Sequence, residues 1–216
     1  MKRLTVLLSV IILVLTLATN ALAGTIGVNV GEGYSVSLQN ENLDYDSYKI
    51  TGNIGISSQT LLWLSYATES EKDADDATTS FGLRYEFINN FAGTFQYDYS
   101  EKKNAFTLGL RAKKDLLEPV ALVGKAEYSS IEPENADSYT GYHLTGQVEY
   151  AFNEYLTANL GVAYLDYDLK GYDATTKLLA GLEFYPTDQL TCWIDYCKDE
   201  DSDVDDIIGV GVEFKF

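Results

Sequence analysis

Few residues of this chain carry reactive chemistry, and they are widely spaced. His143 is its one histidine. A lone imidazole acts as a general base only beside a nucleophile and an acid that orients it. Asp195 and Glu127 are possible acids on its face of the alternating pattern, and the strand count places them on distant strands. No motif surrounds His143, so a polar wall residue is its expected role. The thiols are Cys192 and Cys197. On one strand their Cα atoms stand roughly 16 Å apart, beyond the roughly 7 Å that a disulfide spans. They also point to opposite faces, and no CxxC motif is present, so free thiols are expected. The densest run of oxygen ligands is Asp199, Glu200, Asp201, Asp203, Asp205 and Asp206. Alternate aspartates open a calcium loop, but the glycine and closing glutamate of such a loop are missing. A solvated acidic rim is the expected reading and a calcium site the alternative. No cofactor is expected.

The elements that must hold these residues have a period of two. From Asp46 onward eleven segments alternate: 47–57, 61–67, 81–87, 92–99, 105–112, 120–128, 141–150, 156–165, 177–184, 190–197 and 207–216. One face of them, such as Phe81, Leu83, Tyr85 and Phe87, covers 48 positions and carries no charge. The other face holds small polar residues, as in Thr51, Asn53, Gly55 and Thr157, Asn159, Gly161. A strand facing water is rich in Lys and Glu instead. A charge at the bilayer midplane costs about 2–4 kcal/mol, so a lipid-facing surface explains the exclusion. A soluble barrel or sandwich with its charge-free face inward is the competing explanation. The connections alternate in length, short ones such as Ser58-Gln59-Thr60 with longer ones such as Thr68–Ser80, Ser129–Thr140, Asp166–Thr176 and Lys198–Asp206. Segment 25–38 supplies a further strand through Ile26, Val28, Val30, Tyr34, Val36 and Leu38, with Glu32 on the apolar face beside a bulge at Gly31 and Gly33.

The last segment reads I-I-G-V-G-V-E-F-K-F, and Gly211-x-x-Phe214-x-Phe216 resembles the assembly signal that closes Gram-negative-type outer-membrane β-barrels. Gly209 stands where that signal usually has a polar residue. The first 23 residues read as a secretory signal peptide: Lys2 and Arg3, an apolar core from Val6 to Leu17, and Ala21-Leu22-Ala23 before Gly24. That core is too short for a membrane-spanning helix. Residues 24–216 are then one all-β domain, a transmembrane antiparallel up-and-down β-barrel of 12 strands, with ten as the alternative. The resemblance implies outer-membrane lipid and the barrel-assembly machinery as partners. Tyrosines such as Tyr48, Tyr66, Tyr97, Tyr142 and Tyr164 are expected as an outer aromatic belt, and Phe87, Tyr150, Phe184 and Phe214 as an inner one.

In such a barrel the second face is the lumen. It holds Lys49, Arg84, Arg111, Lys125, Lys177 and Lys215 against Glu86, Asp98, Glu127, Glu149, Glu183, Asp195 and Glu213. These charges either set a transverse field across a pore or pair up and fill the lumen. Trp63 and Trp193 are candidates for constriction or packing. Cleavage of the leader takes the net charge from −18 to −20, and the outer loops hold −16 of it, including Asp73, Asp75 and Asp76 beside the run 199–206. So acidic a chain is a poor partner for nucleic acid. A rim of one sign concentrates cations at the mouth. Barrel phospholipases and deacylases use Ser–His pairs and omptin proteases Asp–His, which His143 alone does not supply. The expectation is a small porin-like channel for hydrophilic solutes or ions, cation-preferring, and not an enzyme. The alternative is a non-conducting barrel for envelope structure, adhesion or surface binding.

Overall fold

The structure is a computed structural model that describes residues 33–41, 48–71, 74–200 and 207–215. The expected leader, Ile26 to Glu32, and Phe216 lie outside them. The described residues form antiparallel strands without a helix: β1 (Gly33–Glu41), β2 (Tyr48–Ser57), β3 (Thr60–Glu71), β4 (Ala74–Ile88), β5 (Phe91–Tyr99), β6 (Lys103–Leu117), β7 (Val120–Pro133), β8 (Tyr139–Asn153), β9 (Leu156–Tyr167), β10 (Thr175–Thr187), β11 (Leu190–Asp199) and β12 (Ile207–Lys215). Each pairs with its neighbours in sequence, and β12 pairs with β1, which closes the ring. Every connection is therefore an up-and-down hairpin except that one seam.

Alternation decides which way each side chain points. On β4, Phe81, Tyr85 and Phe87 are exposed on the outer surface, while Ser80 and Gly82 are buried on the inner one. On β8, Tyr142, Leu144, Val148 and Tyr150 face out, and His143, Thr145, Gln147 and Glu149 face in. The outer surface is thus a band of exposed large apolar side chains. Among the residues whose side chains are described, charges on it appear only near strand ends: Lys114 at the inner end of β6, and Glu132, Asp166 and Lys198 at the outer ends of β7, β9 and β11. That is where a bilayer gives way to water.

Several outer connections are shorter than expected. Thr68–Ser80 is largely ribbon, because β3 runs to Glu71 and β4 starts at Ala74. Asp75 and Asp76 therefore lie in a ladder, opposite Ser70 and Glu69, while Asp73 is outside the described residues. Ser129–Thr140 likewise shrinks to the five residues between β7 and β8. Polar composition marks where strands leave the membrane. It does not end a hydrogen-bonded hairpin, because both faces of a ribbon can stand in water. The described part of the first strand, Gly33–Glu41, runs beyond the expected end at Leu38, and Val36 and Leu38 pair with Phe214 and Val212.

Candidate functional site

The inner surface encloses a cavity of about 430 Å³ on the side of β3 to β8. Trp63, Arg84, Gln96, Arg111, Lys125 and Glu127 are among its lining residues. The register explains their meeting. Arg84 lies opposite Thr94, which lies opposite Gly109, then Glu127, then His143, along one row of the ladder. The neighbouring row carries Glu86, Ala92, Arg111, Lys125 and Thr145. Gly109 stands between the two arginines, where a side chain would collide with the Thr94 hydroxyl.

The lumen charges divide into paired and unpaired groups. Lys125 and Glu127 form an ion pair at 2.8 Å, and His143 Nδ1 stands 3.2 Å from the other Glu127 oxygen. Glu127 is the direct cross-strand partner of His143, which corrects the expectation that they sit on distant strands. Two segments joined by one hairpin are neighbours by construction, and that signal was present in the sequence. Asp195 does lie away from them, on β11. Thr145 Oγ1 is 3.2 Å from His143 Nε2, so hydroxyl, imidazole and carboxylate follow in the order of a hydrolase relay. Lys125 neutralises the carboxylate of that row, and the arrangement is that of a polar wall network.

Lys113 pairs with Glu149 at 2.6 Å. Lys113 lies just past the expected segment 105–112, but β6 runs on to Leu117 and Lys113 continues the inward parity of Arg111. Lys177 pairs with Asp199 at 3.3 Å. This overturns the place given to Asp199 in a solvated rim, since it is 7% exposed. It is the last residue of β11 and has inward parity, so the ladder turns it to the wall. Glu200 is exposed beyond it, and Asp201, Asp203, Asp205 and Asp206 lie outside the described residues.

The remaining groups have no salt-bridge partner among the described residues, with Asp195 set apart. Arg84 and Arg111 lack a carboxylate in range, and Arg84 Nε is buried without an acceptor. Glu86 accepts the Asn90 backbone N–H at 2.7 Å, at the inner turn where Asn90 takes a φ of 67°. Asp98 accepts from Gln96 at 2.8 Å, near the outer end of β5. Glu183 accepts the Tyr185 hydroxyl, and Glu213 accepts from Asn53 at 3.4 Å. Lys215 is 5% exposed and donates to Thr191 at 3.0 Å. Asp195 lies over Gly181 beside Asn159. Lys49 sits near the outer end of β2, opposite Ala67.

Trp63 and Trp193 are packing residues. Each lies across its glycine partner on the next strand, Trp63 on Gly82 and Trp193 on Gly211, where a Cβ would overlap the indole. Gly211 of the closing motif is therefore the seat of an indole. Phe214 faces outward, 43% exposed. Cys192 and Cys197 do not form a disulfide with each other; Cys192 shares the outward parity of Ile194, and Cys197 the inward parity of Trp193.

No protein family matches the sequence, and no curated protein does. Solved structures do match the fold. The KdgM porin has a TM-score of 0.63 at 16% identity, covering 84% of this chain and 99% of that one. The KdgM porin in complex with disordered oligogalacturonate has a TM-score of 0.65 at 15% identity, with 84% and 99% covered. The NanC porin has a TM-score of 0.64 at 11% identity, with 85% and 100% covered. This is the fold of a bacterial outer-membrane porin. The exposed rings fit that outer-membrane barrel as two girdles. Tyr97, Tyr99, Tyr142 and Tyr164 lie toward the outer ends, and Phe87, Tyr150, Phe184 and Phe214 toward the inner ends. Tyr66 departs from the outer girdle, being 7% exposed.

Proposed function

We propose that the chain is a twelve-stranded transmembrane barrel of the outer membrane that passes small hydrophilic solutes or ions passively. The observation that carries this reading is the separation of surfaces. A charge-free apolar band lies outside, and a polar cavity lined by Arg84, Gln96, Arg111 and Lys125 lies inside. A barrel made only for mechanical closure gains nothing from the Arg84 guanidinium, whose Nε is buried without an acceptor, because an unpaired buried polar group costs stability. Ion preference is set at the mouth, by the acidic outer residues Asp73, Asp75, Asp76, Glu200, Asp201, Asp203, Asp205 and Asp206. Those charges favour cations at low salt. The oligogalacturonate in one of the similar porins is acidic, and the acidic rim of this chain opposes such a solute. Phe214, Phe216 and Gly211 serve recognition by the assembly machinery. Conductance of the refolded protein in planar bilayers tests the reading. A demonstrably folded barrel without conductance supports the alternative, a structural or surface-binding barrel.

A further inference from the structure

His143 stands against a carboxylate that already has a cation. Lys125 Nζ is 2.8 Å from one Glu127 oxygen, and His143 Nδ1 is 3.2 Å from the other. On the far side of the ring, Nε2 is 3.2 Å from the Thr145 hydroxyl. A hydroxyl can donate or accept. With a neutral imidazole, Nδ1–H donates to Glu127 and Nε2 accepts from Thr145. With an imidazolium, both nitrogens donate and the hydroxyl turns round. Both protonation states therefore keep their hydrogen bonds, and neither leaves a polar group unsatisfied. An imidazole is the one side chain whose ordinary titration lies between pH 5 and 8. His143 is the only histidine of the chain.

The neighbours of His143 leave an added proton uncompensated. Across on β7 the charged groups are Glu127 and Lys125, which cancel each other. One strand further, β6 brings Gly109 and Arg111 to the same rows. On β9, Leu165 lies opposite His143, Tyr167 is the next inward residue, and no charged residue of that strand shares the face. On β8 itself, Tyr139 lies to the outer side, and Glu149 lies to the inner side in its pair with Lys113. The group of Lys125, Glu127 and His143 thus has no net charge with a neutral imidazole and one positive charge with an imidazolium. Glu127 and Thr145 line the cavity, so the charge arrives at its wall. Glu86 and Asp98 lie on the same side of the barrel, engaged at the inner turn and with Gln96. The change is one charge whatever the sum of the wall.

We propose that His143 tunes the ion selectivity of the lumen to pH, lowering its preference for cations as the medium acidifies from pH 8 to pH 5. This rests on the reading of the chain as an open channel. The effect is separable from that of the acidic mouth. Exposed loop charges are screened at high salt, whereas a charge in the wall of a narrow lumen is screened much less.

The test is the reversal potential of the full refolded protein in planar bilayers, at high salt, at pH 8 and at pH 5. The cation-to-anion permeability ratio is expected to fall roughly two- to three-fold, the effect of one unit charge a few ångströms from an ion in water. In His143→Gln the ratio is expected to stay level over that range. His143→Lys at pH 8 is expected to show the low ratio of the acid wild type. So is Glu127→Gln, which removes a negative charge instead of adding a positive one. NMR of the same untagged protein reads the imidazole directly, since a sole histidine gives one assignable ring, and its signals are expected to shift between the two pH values. A wild-type ratio that does not move, a fall that persists in His143→Gln, or a ring that stays in one state each overturns the proposal. Should His143→Gln not fold, Glu127→Gln decides: a ratio at pH 8 equal to that of the wild type at pH 8 overturns it. A folded barrel that conducts at neither pH overturns the channel reading itself, and the NMR signal still reports the imidazole.

Discussion

Replacing Gly82 by alanine sets one methyl group against an indole. The Cβ would overlap the six-membered ring of Trp63. The strand is held on both sides, by β3 and β5, so the indole is the part that yields. A tryptophan buries 150–250 Å² in a packed site. Lifting about 100 Å² of it into the lumen, at roughly 25 cal/mol per Å², costs about 2.5 kcal/mol, within the range of overpacking. Gly124 and Gly146 supply the control. They are cross-strand partners on the outward face, and a Cβ at either meets nothing within 4 Å. Alanine there removes backbone freedom from the unfolded chain and is neutral or stabilising by up to about 1 kcal/mol. Urea unfolding in lipid vesicles reads the difference as a shifted midpoint at constant slope. Because Trp63 lines the cavity, the conductance of Gly82→Ala should fall with its stability. Trp63→Leu in the same chain should relieve the collision, with a coupling of about 1 kcal/mol or more. Equal midpoints for Gly82→Ala and Gly124→Ala, or additive effects in the double variant, refute the seating of the indole on glycine.

Three further outcomes are expected. Neutralising Glu200, Asp201, Asp203, Asp205 and Asp206 while keeping Asp199 should weaken cation preference at low salt, measured as reversal potential. In the unmodified protein that preference should fade toward 1 M salt, where the Debye length falls to about 3 Å. Asp199→Asn should lower the unfolding free energy by about 2 kcal/mol in the same urea assay. This is less than the loss for a fully buried pair because the Lys177 side chain is 23% exposed. Deleting Phe216 or replacing it with Lys should reduce the amount of folded, heat-modifiable protein in the outer membrane; normal amounts would remove Phe216 from the assembly signal.

The faces of the strands were legible in the sequence, because a side chain's direction depends only on parity. Phe81, Tyr85 and Phe87 could point only one way once Arg84 pointed the other. Pairing was not legible in the same way, since it depends on register between strands, which one strand's pattern does not contain. The ion pairs of Glu149 with Lys113 and of Asp199 with Lys177 are of this kind. So are the glycines beneath Trp63 and Trp193, which sit 19 and 18 positions away in sequence yet directly opposite in the ladder. Asp199 was misplaced for a further reason. It opens an acidic run, and composition alone cannot mark which member of a run still belongs to the strand.

The ring has eleven seams between neighbours in sequence and one seam that joins its two ends. Each of the eleven closes a short loop, so its entropy cost is small and nearly independent of chain length. The twelfth brings Ser35 beside Lys215 and spans almost the whole described chain. By contact order it is the slowest to form. Until it forms, β1 and β12 each present an unsatisfied edge, which is a template for any other strand at hand. The barrel therefore has a timing problem located at one line down its wall. Whatever holds β12 during that interval governs whether the chain closes on itself or adds to a neighbour.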